Sequence, residues 1–81
     1  MLITGQVVDD RGRALRHVTI EASGPRGSGT RATVTNAQGH YVLKDLRSGM
    51  YTITFARSGF STVERKTDTL SRYVAIINAQ L

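Results

Sequence analysis

Short runs of alternating apolar and polar residues recur along the whole chain, separated by clusters of Gly, Asn, Asp and Ser. A two-residue period is that of a half-buried β-strand, and no segment carries the 3.6-residue period of a helix. Seven strands are predicted: Leu2–Val8, His17–Ala22, Thr30–Thr35, His40–Lys44, Met50–Arg57, Ser61–Lys66 and Tyr73–Leu81. The fifth is the clearest. Tyr51, Ile53 and Phe55 point to one face, and Thr52, Thr54 and Ala56 to the other. The second alternates in the same way, with Val18, Ile20 and Ala22 opposite His17, Thr19 and Glu21. The sixth is polar apart from Val63, as suits an edge strand whose charges discourage pairing with other chains.

The breaks between strands have readable turn chemistry. Gly12 closes the turn Asp9-Asp10-Arg11-Gly12, whose charged residues read as a solvated turn. In Asn36-Ala37-Gln38-Gly39 the Asn side chain bonds the backbone two residues on, and Gly39 takes a left-handed conformation. Gly49 is expected to need a similarly unusual backbone. Gly24 to Gly29, with Pro25 inside it, cannot hold a ladder and is a loop. Seven short strands at this spacing predict an all-β sandwich of two sheets, with a small closed barrel as the alternative. The predicted core is Val7, Val18, Ile20, Val34, Tyr41, Leu43, Leu46, Tyr51, Ile53, Phe55, Phe60, Ile77 and Leu81.

The order of these punctuating residues resembles the carboxypeptidase regulatory-like family. The matching pieces are Gly5-Gln6-Val7-Val8-Asp9 and Gly12, Val18-Thr19-Ile20, Thr35-Asn36-Ala37-Gln38-Gly39-His40-Tyr41, Leu46, Gly49-Met50-Tyr51, Gly59-Phe60 and Leu81. The resemblance covers nearly the whole chain. It implies a seven-stranded Greek-key β-sandwich, transthyretin-like or Ig-like, and a module of a larger extracellular or periplasmic protein. It does not imply a particular activity, because this fold hosts many roles. Asn36 and Gln38 stand where the family often has acidic residues, which argues against a cation site at that turn.

Composition narrows the chemistry. The chain has 81 residues, enough for one domain, and 40% of them are hydrophobic. It has no cysteine, so packing has to supply the stability that disulfides give other small domains. No apolar run is long enough to span a bilayer, and residues 1–5 lack the features of a signal peptide, so any export is expected to depend on an upstream segment. No Ser sits in a Gly-x-Ser-x-Gly elbow. The carboxylates are scattered, and no catalytic residue and no cofactor are predicted. His17 and His40 each open a strand at the end that also carries Asp9 and Asp10, but outside any ligand-spaced motif, and no metal site is predicted. The tail Asn78-Ala79-Gln80-Leu81 lacks the motif of the transthyretin-like ureide hydrolases. The first strand lacks the lysine of an isopeptide-forming relative.

There is no Trp, and the Tyr and Phe residues are needed inside, leaving Tyr73 for a sugar face. Aromatics interleaved with base-facing cations are missing, so no specific nucleic-acid partner is predicted. The expected role is a non-catalytic structural or interaction module with a neighbouring domain or protein as partner. The alternative is a binding module for carbohydrate or an anionic polymer. The formal charge of +5 bears on that alternative. If successive strands run antiparallel, one end carries the Asp9, Asn36 and Ser58 turns. The other carries the Gly24–Gly29 loop and most of the uncompensated cations. There Arg26, Arg31, Arg47 and Arg72 are the predicted contacts of an anionic partner.

Overall fold

A computed structural model describes residues 2–24, 29–68 and 74–81. It is all-β and made of two packed sheets. The strands are β1 (Leu2–Val8), β2 (Thr19–Ser23), β3 (Thr30–Val34), β4 (His40–Leu43), β5 (Met50–Ala56), β6 (Val63–Asp68), β7 (Val74–Ile76) and β8 (Ala79–Gln80). One sheet has the order β3-β2-β5-β6. In the other, β1 lies between β4 on one side and β7 and β8 on the other. Pairing is antiparallel except between β1 and its two C-terminal neighbours, which run parallel to it. Direction alternates from β1 to β7, so β7 runs parallel to β1, and β8 continues β7 in the same direction after a two-residue interruption.

The core lies between the inward faces. Ile3 and Val7 come from β1, Ile20 and Ala22 from β2, Tyr41 and Leu43 from β4, Tyr51, Ile53 and Phe55 from β5, and Ala75 and Ala79 from β7 and β8. Tyr41 meets Phe55 edge to face, with ring centroids 5.8 Å apart. Leu46 is buried beneath the β4–β5 connection, as expected. Ile77 and Leu81 are partly buried against the core.

Several expectations need correction. Val34 is 53% exposed. It pairs with Thr19, whose side chain faces out, so the register of β3 turns Val34 out as well. Phe60 is 37% exposed and lies under the Arg57 guanidinium, 5.5 Å from it, instead of dropping into the core. Leu15, absent from the predicted core, is buried because its connection folds back on β1, where the Leu15 N–H donates to the Val7 carbonyl at 3.0 Å. The second strand starts at Thr19 rather than His17, because His17 has φ 61°. Asp9 is no solvated residue. Its side chain is 12% exposed and organises the turn.

The seventh predicted strand is interrupted, although its register with β1 is not. Leu2, Ile3 and Thr4 pair with Val74, Ala75 and Ile76, and Val7 and Val8 with Ala79 and Gln80. Between them, a regular parallel ladder would send the Gln6 N–H to the Ile77 carbonyl. Instead that carbonyl accepts from the Tyr41 hydroxyl, and the Gln6 N–H donates to Asn78 Oδ1 at 2.9 Å. Gly5 makes room for the diverted carbonyl. A Cβ there would lie 2.0 Å from the Ile77 oxygen. Burial raises the Tyr41 pKa, so its hydroxyl stays protonated and keeps donating.

Candidate functional site

The end built from the β1–β2, β3–β4 and β5–β6 connections is held by three side chains. Asp9 Oδ1 accepts from the backbone N–H groups of Arg11 and Arg13, each at 2.9 Å, and Asp9 Oδ2 accepts from Arg13 Nε at 3.0 Å. The bond from the Arg13 N–H is the largest influence lowering the Asp9 pKa, with desolvation opposing it. Asn36 Oδ1 accepts from the Gln38 and His40 N–H groups, as its turn chemistry predicts. The buried Thr35 hydroxyl donates to the Leu15 carbonyl at 2.7 Å and accepts from the Val18 N–H at 3.0 Å. With Asp9 and Asn36 bound to local backbone, this end is scaffolding.

His17 and His40 do share this end but not a site. His17 lines an open groove of about 480 Å3 with Thr19, Ala56, Arg57, Ser58 and Thr62. His40 lies on the outer face of the other sheet, beside Gln6 and Val42. Among the described residues, no three His, Cys, Asp or Glu side chains come together as a metal site.

At the opposite end the predicted cationic cluster is placed in part. Arg31 and Arg47 line one small cleft with Gly29, Asp45, Leu46 and Tyr51, so the fold does bring these two arginines together. The Tyr51 hydroxyl donates to the Arg47 carbonyl at 2.7 Å. Asp45 has φ 58° and Gly49 φ 150°, both outside ordinary strand geometry. Asp45 puts a carboxylate in the same cleft, which sequence spacing did not show. Arg26, Arg72 and Tyr73 lie outside the described residues.

The two outer sheet faces differ. On β3-β2-β5-β6 the outward positions include the polar set Thr19, Glu21, Thr52, Thr54, Glu64 and Lys66, with exposed Val34 and Met50 toward opposite ends of the face. On the other sheet, Val42 of β4 and Ile76 of β7 flank Thr4 of β1 in register, and Val74 follows beside Leu2. Val42, Val74 and Ile76 are 41%, 47% and 67% exposed. Three β-branched apolar side chains on the two strands that flank β1, with Thr4 between Val42 and Ile76, gather on this face, a feature of interaction surfaces. Alternation with inward Tyr41, Leu43 and Ile77 already turns Val42, Val74 and Ile76 outward, but it does not show that β4 and β7 flank the same strand.

These features define a small β-sandwich module with shallow, open grooves. A family model for the carboxypeptidase regulatory-like domain matches residues 2–81, and the chain belongs to that family. Its members are small non-catalytic domains typically found within larger proteins. No curated protein matches the chain. No helix of the described residues is long and apolar enough to cross a membrane.

Proposed function

We propose that the module is a non-catalytic structural and interaction unit of an exported, extracellular or periplasmic protein, which docks a neighbouring domain on the outer face of the β4-β1-β7 sheet. The apolar row Val42–Thr4–Ile76, extended by Val74, carries this reading. Valine and isoleucine favour strands anywhere, but three of them gathered on one exposed face also offer apolar area for a partner to cover. The test uses Val42→Lys in the full-length parent protein and in the isolated module. The substitution should leave the module's thermal midpoint within a few degrees and should loosen its contact with the adjoining domain, read as increased protease cleavage between the two. Unchanged cleavage would overturn the docking face.

A second reading is favoured by the Arg31–Arg47 cleft, which would present paired guanidinium groups to a carboxylate or sulfate on an anionic polysaccharide. Arg26 and Arg72 are proposed as further contacts. Heparin titration at low salt tests it. Arg31→Glu with Arg47→Glu should weaken binding far more than Arg11→Glu with Arg13→Glu, and equal losses would reduce the effect to net charge.

A further inference from the structure

We infer that this module is built to carry tension between its two chain ends, with the parallel pairing of β1 to β7 and β8 as the element that resists. The inference rests on the reading that the domain sits in series within a longer protein. β1 starts at Leu2, beside Val74, at one end of the molecule, and the last strand finishes beside Val8 at the other. A pull on the two termini draws β1 toward its own start and β8 toward its own finish. Parallel neighbours pulled this way slide past one another, so their cross-strand bonds are loaded together. Antiparallel neighbours joined by a hairpin and pulled at its open ends would lose their bonds one at a time.

The load path is short. It enters β1, crosses directly to β7 and β8, and leaves, without passing through β3-β2-β5-β6. Its bonds are spread along β1: Ile77 N–H to the Thr4 carbonyl at 2.8 Å, Gln6 N–H to Asn78 Oδ1 at 2.9 Å, and Leu81 N–H to the Val8 carbonyl at 2.9 Å. At the midpoint, sliding meets an additional obstacle. The Ile77 carbonyl is seated over Gly5 and tied to the Tyr41 hydroxyl from the opposite neighbour β4, so moving β8 along β1 also breaks a bond to a third strand. The Asn78 side chain replaces the ladder bond lost there, which keeps the middle of β1 bonded.

The experiment is single-molecule stretching of the intact module in two geometries. Held at residues 1 and 81, it should unfold at a force several-fold higher than when held at residue 81 and a cysteine handle at Asp10→Cys. In the second geometry both attachments lie at the same end, and the strands peel apart. Equal forces in the two geometries would overturn the inference. Variants locate the resisting element. Asn78→Ala should lower the terminal-pull force, whereas Ile53→Val, a core change in the other sheet, should destabilise the module in urea and leave that force nearly unchanged. If the two variants lowered the force in proportion to their effects in urea, the resistance would be global and the inference wrong. Val42→Lys should not alter the force, so failure of the docking face and failure of the tension path would be told apart.

Discussion

The two ends of the sandwich use similar turn residues and differ in what surrounds them. Gly39 at the Asn36 end and Gly29 at the Arg31 end have nearly the same backbone, φ 75° and 74°. A Cβ on Gly39 would lie 2.4 Å from the Val7 carbonyl oxygen, whereas one on Gly29 would meet nothing within 4 Å among the described residues. At the first end, three side chains bond backbone groups of its connections, and Leu15 is buried beneath. At the second, Tyr51 ties down Arg47, and an arginine-lined cleft opens to solvent. The lesson is that a left-handed glycine signals a turn but not its energetic weight, which comes from what the chain packs against.

Phe55→Ala gives the largest expected effect and tests whether the two ends form one cooperative unit. Phe55 is fully buried against Tyr41, and its loss should cost about 3–5 kcal/mol in urea unfolding. Amide exchange should accelerate at both ends together. Acceleration confined to one end would make the ends independent units and break the comparison. Next comes the glycine pair. Gly39→Val combines an unfavourable φ with overlap of the Val7 carbonyl and should cost about 3 kcal/mol, against about 1–2 kcal/mol for Gly29→Val, where only φ opposes it. Equal shifts in the urea midpoint would mean that the space around Gly39 relaxes freely.

Thr35→Val keeps the shape and removes the hydroxyl, leaving the Leu15 carbonyl and the Val18 N–H without their partner. A cost of about 2 kcal/mol is expected, compared with about 1 kcal/mol for Tyr51→Phe at the other end. A larger loss from Tyr51→Phe would reverse the ranking of the ends. The last prediction concerns pH. The folded-state pKa of Asp9 is depressed, so its contribution is present above the ordinary carboxylate pKa and is lost as pH falls through the folded value. Thermal midpoints of the native chain should therefore drop between pH 5 and about pH 2 more steeply than those of Asp9→Asn. Parallel curves would show that the turn is held by its backbone alone.

Where the burial pattern was strong, the sequence was legible. β5 alternates cleanly, and its inward residues are those expected. β6 is an edge strand, and Asn36 and Gly39 perform the turn chemistry read from them. β3 shows the opposite case. Thr-Arg-Ala-Thr-Val has no alternation to set its phase, so Val34 took its direction from Thr19 across the ladder. Asp9 and Leu15 were missed because turn residues are read as solvated, whereas this connection folds back over β1 and buries them. The interruption at Ile77 depends on Tyr41, 36 residues earlier in the chain, and local pattern cannot show it. Of the cationic cluster, clustering of Arg31 with Arg47 followed from alternation of strand direction, and the intrusion of Asp45 did not.

The central place of β1 also has a consequence for how the module is made. Within it, β1 is synthesised first, yet its β4 neighbour lies 34 or more residues away in sequence and its β7 and β8 neighbours 72. Contacts this distant in sequence form slowly. While the rest is being translated, Ile3 and Val7 remain without their full cover, and β1 presents an open edge to other nascent chains. Polar Thr4 and Gln6, interleaved among its apolar positions, and the kink-tolerant Gly5 lower the stickiness of that edge during the wait. Selection on the first strand would then act on solubility before folding as well as on the packing of the finished sheet.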